Sequence, residues 1–244
     1  GPKDYYNEAF LYRLFGINAG PLICHAWGDD PTTIAGIRAY VPKSTSLSSG
    51  QVLQFPYPAS KAAIIVREMA DNLSGQLVKK NLFTDRIVLT IGYDTENLTR
   101  PDIASQYRGP VHIDRYGRAV PGHAHGTLRL PEPTYSARLI TEAAMELFNS
   151  ITDMSLLVRR VTIAADNTAD AGTAAGEMNR EADLFAGLPE EQEKNRQREK
   201  EKNVQQAINA IKEKFGKNSI LKAMNMQEFA TMRERNGQIG GHKA

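Results

Sequence analysis

The 244-residue chain reads as an α+β protein with the ferredoxin-like split βαβ order: a four-stranded antiparallel sheet with two helices on one face. A small helical segment precedes it and a helical tail follows. Three observations predict this. Two stretches, 58–79 and 133–151, place apolar residues at helical spacing. Segment 85–93 alternates apolar and polar side chains with the period of two that a strand requires. Further strand-like segments at 43–53, 127–130 and 154–164 complete the order strand, helix, strand, strand, helix, strand.

Residues 1–40 read as a short helical segment. Ala9, Phe10, Leu11 and Leu14 form an apolar pattern that Gly16 breaks. Leu22, Ile23 and Trp27 follow at near-helical spacing, and Gly28-Asp29-Asp30-Pro31 supplies the stop. The segment is too small to stand alone and is expected to pack on something larger. The chain begins at Gly1-Pro2 without Met, as after removal of a tag, and so reads as a piece of a longer protein.

The stretch from Lys43 to Leu53 combines a cation, five hydroxyls and Gly50. Hydroxyls and backbone N–H groups donate to phosphate oxygens, Lys adds charge, and Gly admits a close backbone, a mixture that positions nucleic acid without reading its bases. Pro58 then opens a helix whose stripe is Ala59, Ala62, Ala63, Val66, Met69, Ala70, Leu73 and Leu77, with Lys61, Arg67, Glu68 and Lys79 placed off it. In the next strand Ile87, Leu89 and Ile91 point one way and Arg86, Val88 and Thr90 the other. A Gly-, Pro- and Arg-rich loop spans 99–121. The second helix carries Ala137, Ile140, Ala143, Ala144, Leu147 and Ile151. The last strand holds Leu156, Val158, Val161 and Ile163 with the pair Arg159-Arg160.

Residues 41–166 therefore form the sheet domain. Its open face gathers Lys43 and the hydroxyls of Ser44, Ser46 and Ser48, Arg86 with Thr90, Thr127 or Arg129, and Arg160 with Thr162. Such a face suits a duplex backbone, with release of counterions as phosphates are neutralised. Residues 167–188 read as a flexible linker, in which Leu184-Phe185 either dock into a partner's pocket or fold back on the domain. Residues 189–244 form a charged helix, with the apolar stripe Val204, Ala207, Ile208, Ile211 and Phe215, and a basic, Gly-rich tail. From Asn203 onward there are seven Lys or Arg against three Glu.

Composition sets further limits. Lys and Arg number 30 against 28 Asp and Glu, so the net charge of +2 does not by itself mark a nucleic-acid binder. No apolar run approaches the roughly 20 residues of a membrane span. The lone Cys24 has no partner for an internal disulfide. The expectation is a soluble, cytoplasmic protein. His123 and His125 share one face of an extended segment but lack further ligands at metal-binding spacing. Cys24 and His25 diverge by about 100° on a helix, which argues against a nucleophile and base pair. No carboxylate grouping suits two divalent ions. The sheet face also admits a single-stranded nucleic-acid binder, which needs stacking aromatics there. The helix stripe Val204, Ile208 and Ile211 admits a protein-interaction module.

Leu14-Phe15-Gly16, His25-Ala26-Trp27-Gly28 and Pro42-Lys43-Ser44-Thr45-Ser46-Leu47-Ser48-Ser49-Gly50-Gln51 resemble the junction of thumb and little finger in Y-family translesion DNA polymerases of the UmuC-like (ImpB/MucB/SamB) group. Lys214-Phe215-Gly216-Lys217-Asn218-Ser219-Ile220-Leu221-Lys222 and Arg235-Asn236-Gly237-Gln238-Ile239-Gly240-Gly241-His242-Lys243 are similar to the tail of the Firmicute members. The resemblance implies a thumb remnant and a little finger that grips primer-template duplex DNA, in DNA repair and damage tolerance, near the nucleoid. Lys43, Ser44, Ser46 and Ser48 would contact template phosphates. Palm and fingers, with the catalytic carboxylates and Mg²⁺, would precede residue 1, so this piece would bind DNA without a cofactor and without polymerising. Glu181-Ala182-Asp183-Leu184-Phe185 is similar to the bacterial sliding-clamp peptide at Asp183, Leu184 and Phe185. It departs at Glu181, where Gln is usual, and at Ala182, where Leu is usual.

Overall fold

In a computed structural model, residues 8–30, 32–40, 46–170, 189–239 and 242–243 are described, with 189–191, 194, 239 and 242–243 described by backbone alone. The chain divides into two units, Gly1–Lys43 and Ser44–Ala244.

The first unit holds α1 (Glu8–Phe15), a 3₁₀ turn (Gly16–Asn18), α2 (Ala19–Ala26) and α3 (Ile34–Ala39). Gly16 and Gly28 both adopt positive φ, so the two breaks fall where their conformational freedom is used. Ala19 is its one fully buried apolar residue among those described, while Trp27 stays 80% exposed. Too few apolar groups meet here to make a core. His25 pairs with Asp30 at 3.6 Å, not with Cys24.

The second unit is built on β1 (Leu47–Pro58), α4 (Ala59–Lys79), β2 (Leu82–Tyr93), β5 (Ala124–Thr134), α7 (Ala137–Ile151) and β6 (Leu157–Asp166). Between β2 and β5 lie α5 (Glu96–Thr99), α6 (Pro101–Ala104) and the two-stranded ribbon of β3 (Val111–Ile113) and β4 (Ala119–Pro121). The strands pair antiparallel in the order β1-β6-β2-β5. Each βαβ unit is thereby split by a strand of the other: β6 separates β1 from β2, and β2 separates β5 from β6. The split arrangement follows the sequence reading, with β2 and β6 in the centre.

Helices α4 and α7 pack on each other and on the sheet, α4 over β1 and β6, α7 over β5 and β2. The core includes Leu53, Ile65, Met69, Leu73, Ile87, Leu89, Ile91, Ile140, Phe148, Val161 and Ile163, all essentially inaccessible. Burying a side chain of this size stabilises by about 1.5–3 kcal/mol, so these positions tolerate truncation poorly. Ser136 caps α7 by accepting from Leu139 N. Buried Asn97 bridges the end of β2 to β6, donating to Asp94 O and Leu157 O and accepting from Leu157 N at 2.7 Å.

Several local expectations change. The stretch 99–121 is not plain loop, because Pro101 starts a helical turn and Asp114 to Gly117 close a hairpin. The stretch 167–188 begins with pairing: β7 (Ala169–Asp170) runs against Leu82 and Phe83. Strand β5 extends well beyond 127–130 because its Ala124–Arg129 segment pairs continuously with β2. The last strand starts at Leu157, since Asp153 first turns the chain by accepting from Ser155 N.

Glu68 is the largest departure. Expected off the apolar stripe, it is 2% exposed. The C-terminal segment folds over it. That segment comprises α8 (Pro189–Phe215), a 3₁₀ turn (Ala223–Met226), α9 (Met232–Arg235), and the short pair β8 (Gln238–Ile239) and β9 (His242–Lys243). The Glu68 carboxylate accepts from Asn225 Nδ2 at 2.7 Å, Thr231 N at 2.8 Å and Met232 N at 3.1 Å. A buried charge persists only when hydrogen-bonded in this way.

Nearby, Arg235 donates to Gly50 O and Ser49 Oγ, both at 3.0 Å, and to Gln51 Oε1 at 3.1 Å, closing the free edge of β1. Burial pulls the Arg235 guanidinium below its ordinary value, opposed by the charge of Glu68. Phe229 adopts φ +71, an uncommon conformation for a bulky residue. It is held edge-on against Tyr57 at 5.1 Å.

Helix α8 docks on α4 and the start of α7 through polar groups. Glu201 accepts from Ser136 Oγ and Ala137 N, and Asn209 donates to Gly75 O. Its apolar stripe is not what holds it, since Val204, Ile211 and Phe215 remain exposed.

Candidate nucleic-acid interface

The sheet face opposite α4 and α7 presents side chains in cross-strand rows fixed by register. Gly50, Thr162, Thr90 and His125 form one row, and Ser48, Ala164, Val88 and Thr127 the next. Val52, Arg160 and Gly92 lie towards one end, and Asp166, Arg86 and Arg129 towards the other. Ser48, Gly50, Val52, His125, Thr127, Arg129 and Arg160 are exposed. The alternation of apolar and polar residues along each strand produces this face, because one set fills the core and the other must point away.

Five residues expected to act together, Ser48, Arg86, Arg129, Arg160 and Thr162, share this face. Ser46 immediately precedes β1. Lys43 and Ser44 lie outside the described residues, as do Asp183, Leu184 and Phe185.

The cations differ in availability. Arg86 lies directly across from Arg129, a repulsive arrangement for like charges. Each is offset by an acid: Arg86 reaches Asp166 at 3.5 Å, and Arg129 reaches Asp85 at 3.7 Å. Arg159, at the register shift of β6, is turned to Asp94 at 3.6 Å and to Gln54 O. Among the described residues no carboxylate pairs with Arg160. Arg160 is therefore the strongest anion-seeking group here.

Two glycines shape the surface. A Cβ at Gly92 would press on Arg160 Cβ at 3.1 Å, and one at Gly50 would sit 3.3 Å from Thr162 Oγ1. The two glycines flank β6 on opposite sides, so neither adds a side chain beside Arg160 or Thr162. Thr90 Oγ1 and His125 Nδ1 are 2.9 Å apart, a hydrogen bond that ties the imidazole to the neighbouring strand. Sequence reasoning did not assign Gly92 and His125 to this face. Alternation along β2 and β5 was the available signal.

Among the described residues no three His, Cys, Asp or Glu side chains come together as a metal site. No helix among the described residues is long and apolar enough to cross a membrane. A cleft of about 570 Å³ between α4, α8 and the tail is lined by Lys79, Glu213, Lys222 and Asp71. Those charges pair with one another, unlike Arg160.

At the Arg160 end stands the β3–β4 hairpin. Asp114 accepts from Tyr116 N, Arg118 N and Arg118 Nε. The Arg118 guanidinium and the two backbone N–H groups hold its carboxyl below the usual range. A depressed pKa contributes stability above the unfolded value of about 3.9, and that contribution disappears as pH falls through the folded value. The NMR shifts of Tyr116 and Gly117 are expected to stay constant from neutral pH down to about 5, then move as the turn loosens below about 4.

The fold and face define a class: a two-layer α+β domain whose uncovered sheet side is basic and hydroxyl-bearing. The chain belongs to the impB/mucB/samB family, whose C-terminal domain matches residues 44–178, more than half of its length. That stretch covers β1 to β7 and so includes the whole face. No curated protein sequence matches the chain.

Among solved structures, the chain is similar to a Y-family DNA polymerase chimera of Dbh and Dpo4, at 14% identity and TM-score 0.38, over 68% of this chain and 40% of that one. It is also similar to an insertion ternary complex of Dbh DNA polymerase, at 13% identity and TM-score 0.34, over the same 68% and 40%. A complex of the β-clamp processivity factor and the little finger domain of PolIV matches at 11% identity and TM-score 0.33, over 50% of this chain and 86% of that one. The chain thus spans only 40% of the length of the two polymerases. Likenesses of this size do not bear on what the chain binds.

Proposed function

We propose that the 44–244 unit is the duplex-gripping little finger of a Y-family lesion-bypass DNA polymerase. It holds primer-template DNA by its phosphates. The observation that carries this reading is the convergence of Arg160, Arg129, Arg86, Thr162, Thr90, Ser48 and Thr127 on one uncovered sheet face. Family membership supplies the context. In this reading Lys43, Ser44 and Ser46 also contact template phosphates. Every contact in this reading is a charge or a hydroxyl, which positions DNA without reading its bases.

Polymerisation and its Mg²⁺ belong, in this reading, to palm and fingers elsewhere in a longer protein acting in DNA repair in the cytoplasm, at the nucleoid. Asp183, Leu184 and Phe185 would tether it to the sliding clamp. A single-stranded binder is less well supported, since the central strands offer Arg86, Val88, Thr90, Arg160, Thr162 and Ala164 to this face and no aromatic ring.

Binding of the 244-residue chain to short duplexes is expected to weaken steeply with salt. A log–log slope of about −3 corresponds to three or four phosphates neutralised. Duplexes of unrelated sequence should bind within about threefold of one another, because the grip carries no base readout. Salt-insensitive binding, or a marked preference for one sequence, would contradict the proposal. Asp166→Asn should strengthen binding about two- to threefold by freeing Arg86, measured by anisotropy at low salt.

A further inference from the structure

The β3–β4 hairpin is more firmly built than a connecting loop needs to be. At its base Tyr107 Oη and Gly122 N both donate to Pro110 O, at 2.7 Å. A Cβ at Gly122 would meet Pro110 Cγ at 2.7 Å, so the two strands close tightly there. At its tip Asp114 N donates to Arg118 O, Gly117 N donates to Asp114 O, and Gly117 takes the left-handed conformation with φ +76. This is a hairpin turn closed by a Gly bulge. With the Asp114 carboxylate clamping the same turn, the ribbon has little freedom.

Its display is unlike an ordinary solvated loop. Val111 is 50% exposed, Ile113 69% and Tyr116 65%. Val111 and Ile113 lie on one side of the ribbon with their partners Pro121 and Ala119. The guanidinium carbons of Arg115 and Arg118 stand 4.8 and 5.1 Å from the Tyr116 ring centre. Arg115 also donates to Tyr116 Oη at 2.6 Å. Arg118 is already bound to Asp114, whereas among the described residues no carboxylate pairs with Arg115. A ring held in place, an unneutralised guanidinium and an apolar flank are the groups that take an unpaired nucleotide, with the base stacked and the phosphate paired.

Position favours nucleic acid over a protein partner. The chain passes from β4 through Gly122 and His123 directly into β5, whose His125, Thr127 and Arg129 lie on the proposed phosphate face. The pairings Ile91 with Ala124 and Gly92 with Arg160 place the hairpin at the Arg160 end of that face. A duplex lying along the sheet and ending there would deliver its unpaired strand to the ribbon.

We infer that the β3–β4 hairpin is a single-strand platform on which Tyr116, positioned by Arg118, stacks an unpaired base next to the duplex while Arg115 pairs with its phosphate. The inference rests on the proposed duplex grip, and one experiment separates the two. The 244-residue chain is titrated by anisotropy against a short blunt duplex, the same duplex carrying a few unpaired nucleotides on its 5′ or 3′ end, and the single strand alone. Wild type should bind one of the extended duplexes about fivefold to tenfold more tightly than the blunt one, the size of one base stacked on an aromatic ring.

Tyr116→Ala should erase that increment and leave blunt-duplex affinity unchanged. Tyr116→Phe should keep most of it, a rescue that a merely structural role of the hydroxyl would not give. The inference is overturned if the extension adds nothing in wild type, or if Tyr116→Ala leaves the increment intact, which would hand the hairpin to a protein partner. It is also overturned if Tyr116→Ala weakens blunt and extended duplex equally. Loss of blunt-duplex binding in wild type, with a single strand still held through Tyr116, would instead sink the duplex reading and spare this one.

Discussion

Arg160→Ala lowers the affinity of the chain for duplex DNA about tenfold and reduces the salt slope by about 1, equally on all sequences. The size follows from Arg160's surroundings. It stands exposed beside the bare backbone of Gly92, and no acid pairs with it among the described residues. Arg86→Ala has a smaller effect, because that guanidinium already gives part of its field to Asp166 at 3.5 Å. Arg129→Ala falls between them, since Arg129 is 78% exposed and only loosely held by Asp85. Arg67, exposed on the helix layer, serves as the control and should change nothing. Anisotropy at several salt concentrations reads all four. An equal loss at Arg67 would mean that binding follows overall charge and not this face.

Glu68→Ala releases the C-terminal segment from α4. Asn225 Nδ2, Thr231 N and Met232 N lose their shared acceptor at once. Stranding buried donors costs about 1–3 kcal/mol each if they stay dry. The segment relieves that cost by opening to water. Hydrogen exchange at Thr231 and Met232 should rise by orders of magnitude, while Ile87, Leu89 and Ile163 keep their protection. The melting temperature should fall by several degrees, on the order of 2–4 °C per kcal/mol in a chain of this size. Arg235 leaves with the segment, so the edge of β1 at Ser49, Gly50 and Gln51 loses its cover. An exposed edge invites pairing between copies, so light scattering should show association absent from wild type. Glu68→Gln keeps the shape and one acceptor oxygen, and should fall between the two.

The sheet face was readable because its logic is local. Arg86, Val88 and Thr90 oppose Ile87, Leu89 and Ile91 wherever the strand lies, since neighbouring side chains leave a strand on opposite sides. The two long helices followed from their stripes. Ile65 and Phe148, outside the stripes named from the sequence, joined the core because the close packing of α4 on α7 widens the buried arc.

Other features depend on partners far along the chain. Glu68 looks like a surface residue of an amphipathic helix, and its acceptor role exists only because residues 157 to 164 positions away fold back onto it. Arg235 reads as one more basic tail residue until the edge of β1 is beside it. Alternation likewise left the order of the strands undetermined, since it assigns faces and not neighbours. Which strands are central was settled when β6 inserted between β1 and β2. That insertion brought Arg160 against Gly92 and Thr162 beside Thr90. Periodic patterning thus decided which side chains face outward. Long-range packing decided which of them stand together and which are neutralised, because charge pairing and burial depend on distances in space that no local pattern encodes.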